Sequence, residues 1–137
     1  MSEQPMRVLL VDDYPDALET WSLFLQIKGY EVVTAQDGRT AVDLAISEHP
    51  HVVVMDLDLP VLSGCEAARL LRGRADTSGI PLIAATGYSQ GSQLDEARCA
   101  GFDSVLVKPC DPDELVAEIS RLTGRLGRDG HPRTEIG

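Results

Sequence analysis

Six residues carry most of the chemistry this chain can do, and each follows an apolar run. Asp12 and Asp13 come directly after Val8-Leu9-Leu10-Val11. Asp56, with Asp58 two residues on, comes after Val52-Val53-Val54-Met55. Thr86 and Gly87 follow Leu82-Ile83-Ala84-Ala85, and Lys108 follows Val105-Leu106-Val107. Three carboxylates brought together resist joint ionisation. A hard divalent cation resolves that conflict, and Mg²⁺ suits a few carboxylates, retained waters and phosphate oxygens. Lys108 adds a point charge for a phosphate oxygen or a carboxylate. Thr86 adds a hydroxyl donor, and Gly87 leaves its surroundings open. These are the parts of a phosphoryl-transfer site: a carboxylate nucleophile, a bridging metal and two donors for the equatorial oxygens.

For those residues to meet, the apolar runs must lie side by side. Arg7–Val11, Glu31–Ala35, His51–Met55, Pro81–Ala85 and Ser104–Val107 read as five short strands. The first, third and fourth are continuously apolar, the pattern of strands covered on both faces. Between them lie helical stripes. One is Ala17, Leu18, Trp21, Phe24 and Leu25, ended by Gly29; another is Ala41, Leu44 and Ala45, after Asp37-Gly38. A last one, Leu115, Ile119 and Leu122, is entered through Asp111-Pro112 and ended by Gly124. Residues 64–73 and 90–100 fill the remaining gaps as helices three and four. Alternating strands and helices imply an α/β fold with a parallel sheet, right-handed crossovers and helices on both faces. In such sheets ligands sit beyond the carboxyl ends of the strands, which is where the six residues fall.

The motifs together resemble the receiver domain of two-component response regulators, over residues 6 to about 124. The stretches that carry the resemblance are Val8-Leu9-Leu10-Val11-Asp12-Asp13, Val54-Met55-Asp56-Leu57-Asp58-Leu59-Pro60-Val61-Leu62-Ser63-Gly64, Ala84-Ala85-Thr86-Gly87 and Ala100-Gly101-Phe102-Asp103-Ser104-Val105-Leu106-Val107-Lys108-Pro109. Each is weak to moderate alone; in this order and spacing they are specific. The resemblance implies a flavodoxin-like (βα)5 fold with strand order 2-1-3-4-5. It implies that Asp56 is the phosphoacceptor, that Asp12, Asp13, Asp56 and the backbone carbonyl of Asp58 hold Mg²⁺, and that Thr86 and Lys108 bind the phosphoryl group. It also implies a cis Lys108–Pro109 peptide. The implied role is a single-domain, phosphorylation-dependent switch in a bacterial two-component phosphorelay. The donor would be a phosphohistidine of a histidine kinase or a histidine phosphotransfer protein. A downstream protein target would be met through the face formed by helix 4, strand 5 and helix 5. The chain would catalyse only its own phosphorylation and dephosphorylation.

Two positions depart from the family pattern. Val105 stands where Tyr or Phe is common, three residues before the lysine, so signal transmission through a buried aromatic is not expected. Leu59 replaces the usual Met before the proline, a volume-conserving change. Asp58 and Tyr88 border the approach of a hydrolytic water and are candidates for setting the lifetime of the phosphorylated state.

Composition narrows the alternatives. The chain has 137 residues and a net charge of −10, so direct nucleic-acid binding is not expected. Residues 1–124 read as the receiver domain and 125–137 as a flexible tail. No apolar run exceeds four residues, against the roughly 18 a membrane span requires, and no secretory signal is visible. Three cysteines (Cys65, Cys99, Cys110) without a CxxC spacing argue against a disulfide framework or zinc site and for the reducing cytoplasm. His49 and His51 flank Pro50 at the far end of strand three from the acids, and Trp21 reads as helix packing. Asp56-Leu57-Asp58 also looks like the DxD nucleophile of haloacid-dehalogenase-type phosphatases. That family places its DxD after the first strand and its acidic pair last, the reverse of the order here. A pseudo-receiver, a pure interaction module, would have lost a site residue, and none is missing.

Overall fold

The computed structural model describes residues 5–87, 91–108 and 111–124. Five strands alternate with five helices: β1 (Arg7–Val11), α1 (Pro15–Ile27), β2 (Glu31–Ala35), α2 (Gly38–Glu48), β3 (Val52–Met55), α3 (Gly64–Arg72), β4 (Leu82–Thr86), α4 (Gly91–Ala100), β5 (Ser104–Val107) and α5 (Pro112–Thr123). The strands form one parallel sheet in the order β2-β1-β3-β4-β5. This is the flavodoxin-like arrangement that the resemblance implied.

The all-apolar strands are explained by burial on two faces. Leu9, Val11, Val53, Met55, Leu82 and Ala84 pack with Ala41, Ala45, Ala67, Ala68, Leu71 and Ala97 beneath α2, α3 and α4. Their neighbours in the same strands, Val8, Leu10, Val52, Val54 and Ile83, face the other way onto Leu18, Leu25, Leu115 and Ile119 of α1 and α5. Side chains alternate across a strand, so a strand covered on both sides must be apolar at every position. Full burial of each such side chain contributes about 1.5–3 kcal/mol.

Local signals set the helix ends. Asp37 caps α2 by accepting from the Thr40 amide at 2.7 Å. Ser63 and Glu66 form a capping box at α3, as do Asp111 and Glu114 at α5, where Pro112 occupies the first turn. Gly124 ends α5 in the left-handed region at φ 70°. α2 instead ends on His49, a non-glycine residue at φ 49°. Three strand limits differ from the sequence reading by one residue. β3 starts at Val52, just after His51, whose ring accepts the Arg7 amide at 2.9 Å, and β4 runs from Leu82 through Thr86. Among the described residues, no helix is long and apolar enough to cross a membrane.

Candidate phosphoryl-transfer site

The sheet register aligns the chemical groups. One backbone bond holds each residue just beyond a strand end: Asp12 N–H donates to Ala35 O (3.1 Å), Asp56 N–H to Val11 O (3.0 Å) and Lys108 N–H to Thr86 O (2.7 Å). These bonds extend the parallel ladders by one step, so Asp12, Asp56 and Lys108 leave the sheet at one edge in fixed positions. Oxygens of Asp12, Asp13 and Asp56 all lie within 4.8 Å of one another. Thr86 is fully buried and Asp13 is exposed.

Each oxygen of Asp12 has its own partner. Oδ1 accepts from the Tyr14 amide at 2.9 Å, and Oδ2 accepts from Lys108 Nζ at 2.6 Å. Asp56 is served more loosely: Oδ1 accepts from the Asp58 amide at 3.1 Å and Oδ2 from Lys108 Nζ at 3.4 Å. The Asp56 carboxyl titrates above the ordinary aspartate range, chiefly through burial and further through the Asp12 charge. The Asp58 amide and the Lys108 ammonium oppose that shift without cancelling it. Burial alone would lower the Lys108 pKa, but Asp12 and Asp56 together hold it above the usual lysine value. The Lys108 ammonium thus contacts two of the three clustered carboxylates, Asp12 and Asp56.

The loop between Asp56 and α3 is held closely. Gly64 N–H donates to Leu57 O at 2.9 Å, and a Cβ at Gly64 would lie 2.3 Å from Asp56 O. Only glycine lets α3 start against the backbone of Asp56. The donor set suits a hard cation: among the described residues, the group of possible ligands at these strand ends is three carboxylates.

Of the other residues singled out in the sequence, His49 and His51 lie at the opposite end of the sheet. Trp21 is half-buried and lines a crevice between α1 and α5 together with Asp12, Ala17, Leu106 and Lys108. Cys65 is buried and Cys99 exposed, both as free thiols. Val105 is half-buried against the α2–α4 side of the core. Tyr88, Pro109, Cys110 and the segment 125–137 lie outside the described residues. Sequence reasoning missed the contact between the start of α2 and the loop after Asp56, where Gly38 N–H donates to Pro60 O at 3.3 Å. The Asp37-Gly38 pair signals only a helix start, and Pro60 signals a turn without indicating that Val61 takes a positive φ.

The five-stranded doubly wound sheet carries an acid cluster and a lysine at its carboxyl edge, where such folds bind ligands. The sequence matches the response regulator receiver domain over residues 8–120, and the chain belongs to that family. It is 38% identical over 125 residues to response regulator MprA of Mycolicibacterium vanbaalenii, covering 91% of this chain and 53% of that protein. It is 36% identical over 116 residues to protein PilH of Pseudomonas aeruginosa, covering 85% and 96%. The chain therefore spans about half the length of MprA-type regulators and nearly all of PilH. The chemotaxis response regulator CheY4 of Vibrio cholerae superposes with a TM-score of 0.81 at 31% identity, covering 87% of this chain and 99% of that one. The receiver domain of the sensor histidine kinase PA1611 of Pseudomonas aeruginosa, with magnesium coordinated in its active-site cleft, superposes at 0.83 with 30% identity, covering 88% and 99%. This chain is thus a response regulator receiver domain, a domain of phosphorylation-dependent signalling. The phosphatase and pseudo-receiver readings are not favoured.

Proposed function

We propose that Asp56 accepts a phosphoryl group from a phosphohistidine, with Asp12, Asp13 and the Asp58 backbone carbonyl completing a Mg²⁺ site and with Thr86 and Lys108 receiving the phosphoryl oxygens. The observation that carries this reading is the convergence of three carboxylates and Lys108 at one sheet edge. Mg²⁺, when bound, supplies the positive charge that lets these carboxylates and an incoming phosphoryl group coexist.

An Asp56 carboxylate oxygen attacks phosphorus, and the P–N bond to the donor imidazole breaks with its electron pair leaving on nitrogen. The Lys108 ammonium, already within 3.4 Å of Asp56, compensates charge on the transferring group. The Thr86 hydroxyl, at the end of β4, donates to another phosphoryl oxygen. The donor is a histidine kinase or histidine phosphotransfer protein, and the work is done in the cytoplasm. Movement of Thr86 and Lys108 toward the phosphoryl oxygens displaces the loops after β4 and β5 and changes the α4–β5–α5 face offered to a downstream protein. With Val105 in place of an aromatic, that signal travels through the backbone. Asp58 and Tyr88 border the water that reverses the reaction.

Incubation with acetyl phosphate and Mg²⁺, read by intact mass, tests the assignment. Wild type gains one phosphoryl group, Asp56→Asn gains none, and EDTA abolishes labelling. Unchanged labelling of Asp56→Asn, or equal labelling in EDTA, overturns it. On adding beryllofluoride, backbone chemical shifts should change mostly within residues 86–110; a response confined to α1 and α2 would defeat the proposed output face.

A further inference from the structure

The chain between Asp56 and α3 contains a strained turn with no local benefit to the side chain at its centre. Val61 sits at φ 71°, one of two non-glycine residues with positive φ among the described residues. Leu62 N–H donates to Pro60 O at 2.8 Å, closing a γ-turn around Val61. A β-branched residue is disfavoured in this region. Val61 is 76% exposed, so its packing does not offset the cost. What fixes the turn must lie in its neighbours.

Two supports are visible. Leu59 is buried in the core beneath α2 and α3, and Leu62 packs against the same cluster, so the chain must reverse between them. On the outer side stands Gly38, the first residue of α2. Its amide donates to Pro60 O at 3.3 Å, the carbonyl that also accepts from Leu62. A Cβ at Gly38 would lie 2.0 Å from Leu62 O and 2.7 Å from Leu62 Cβ. Backbone therefore meets backbone, and only glycine permits it. The block that carries Gly38 cannot yield easily. Asp37 caps it through both the amide and the hydroxyl of Thr40, and Ala41 and Val42 are buried. Asp58 lies between this clamp and Asp56, with its amide bonded to Asp56 Oδ1.

We propose that Gly38 is a positioning residue for the cation site: by clamping the γ-turn at Val61 it seats the backbone at Asp58, whose carbonyl would be a metal ligand. The inference rests on the metal site of the proposed function and adds a residue that touches neither metal nor phosphoryl group. A methyl group at Gly38 must widen a 2.0 Å gap to at least 3.0 Å. The capped helix does not give, so the turn does. Mg²⁺ demands near-ideal octahedral geometry and tolerates little displacement of a ligand oxygen.

The test is calorimetric Mg²⁺ titration of the folded chain, paired with its thermal midpoint in EDTA. Gly38→Ala should weaken Mg²⁺ binding by about 10-fold, the scale on which outer-shell supports act at metal sites. Leu62→Ala removes the inner support, should weaken binding in the same direction, and carries the test if Gly38→Ala fails to fold. Gly79→Ala, at a glycine with nothing within 4 Å, should bind like wild type. Lower thermal midpoints with wild-type affinity in the folded variants would make the clamp purely structural and overturn the inference, as would equal weakening in Gly79→Ala. Wild type that takes up no Mg²⁺ would overturn the proposed function, and this inference with it. Wild-type uptake with unchanged variants overturns this inference alone.

Discussion

Lys108 Nζ lies 2.6 Å from Asp12 Oδ2, the tightest contact in the acid cluster. Asp12 is also the least exposed partner, with its side chain 10% accessible against 27% for Lys108. The ammonium thus rests on the carboxylate that the proposed function assigns to the metal, and under that proposal it shifts toward Asp56 when a phosphoryl group arrives. Of its two carboxylate partners it sits closer to the less exposed one.

Replacing Lys108 with Met keeps the stem and removes the charge. Among the described residues Asp12 then keeps the Tyr14 amide at 2.9 Å. Lys108→Met should lose about 1–3 kcal/mol of stability in EDTA, the cost of an unmatched charge in a largely buried place. Saturating Mg²⁺ should return most of it. Urea unfolding with and without Mg²⁺ checks this; an equal loss in both would mean that Lys108 does not stand in for a cation.

The raised Asp56 pKa has a definite stability sign. A carboxyl that titrates above its ordinary value of 3.8 binds protons more readily folded than unfolded. Stability from this group therefore falls as pH rises from 3.8 through the folded pKa, and the penalty is complete above it. In EDTA at pH 7, Asp56→Asn should have the higher thermal midpoint. The gap should close as pH falls toward 3.8. A variant no more stable than wild type at neutral pH contradicts the shift.

Trp21 is the one tryptophan of the chain, and it lines the same crevice as Asp12 and Lys108. Mg²⁺ should alter its emission in a saturable, EDTA-reversible way. Asp12→Asn should abolish or strongly weaken the response while leaving the starting spectrum near that of wild type. A flat titration, in a protein that calorimetry shows to bind Mg²⁺, would mean the indole does not sense the site.

His49 ends α2 in the left-handed conformation, at φ 49° and ψ 60°. Glycine adopts that conformation without a Cβ penalty. His49→Gly should stabilise the protein by roughly 0.5–1 kcal/mol, part of the gain being offset by the freer unfolded chain. The shift should appear in the urea midpoint with the slope unchanged, and Mg²⁺ affinity should not move, since the residue lies at the opposite sheet end.

The alternation of elements was legible because its signals are local. Doubly covered strands must be apolar throughout, which made β1, β3 and β4 visible; Asp111-Pro112 and Gly124 bounded α5 through backbone chemistry confined to a few residues. The candidate site was legible for a related reason. A parallel sheet sends every strand's carboxyl end to one edge, so Asp12, Asp56, Thr86 and Lys108 were bound to converge once their strands were recognised. Tertiary structure alone decided how the converged groups share their charges. That Lys108 sits nearer Asp12 than Asp56 depends on ångström differences among three strand ends. Tertiary structure also decided the conformation of Val61, whose residue type argues against positive φ. Burial of Leu59 and the contact with Gly38, more than twenty residues earlier in the chain, impose it. Residue types encode what a segment prefers and which face it buries; a close approach between segments distant in sequence can override that preference, and only the folded chain contains it.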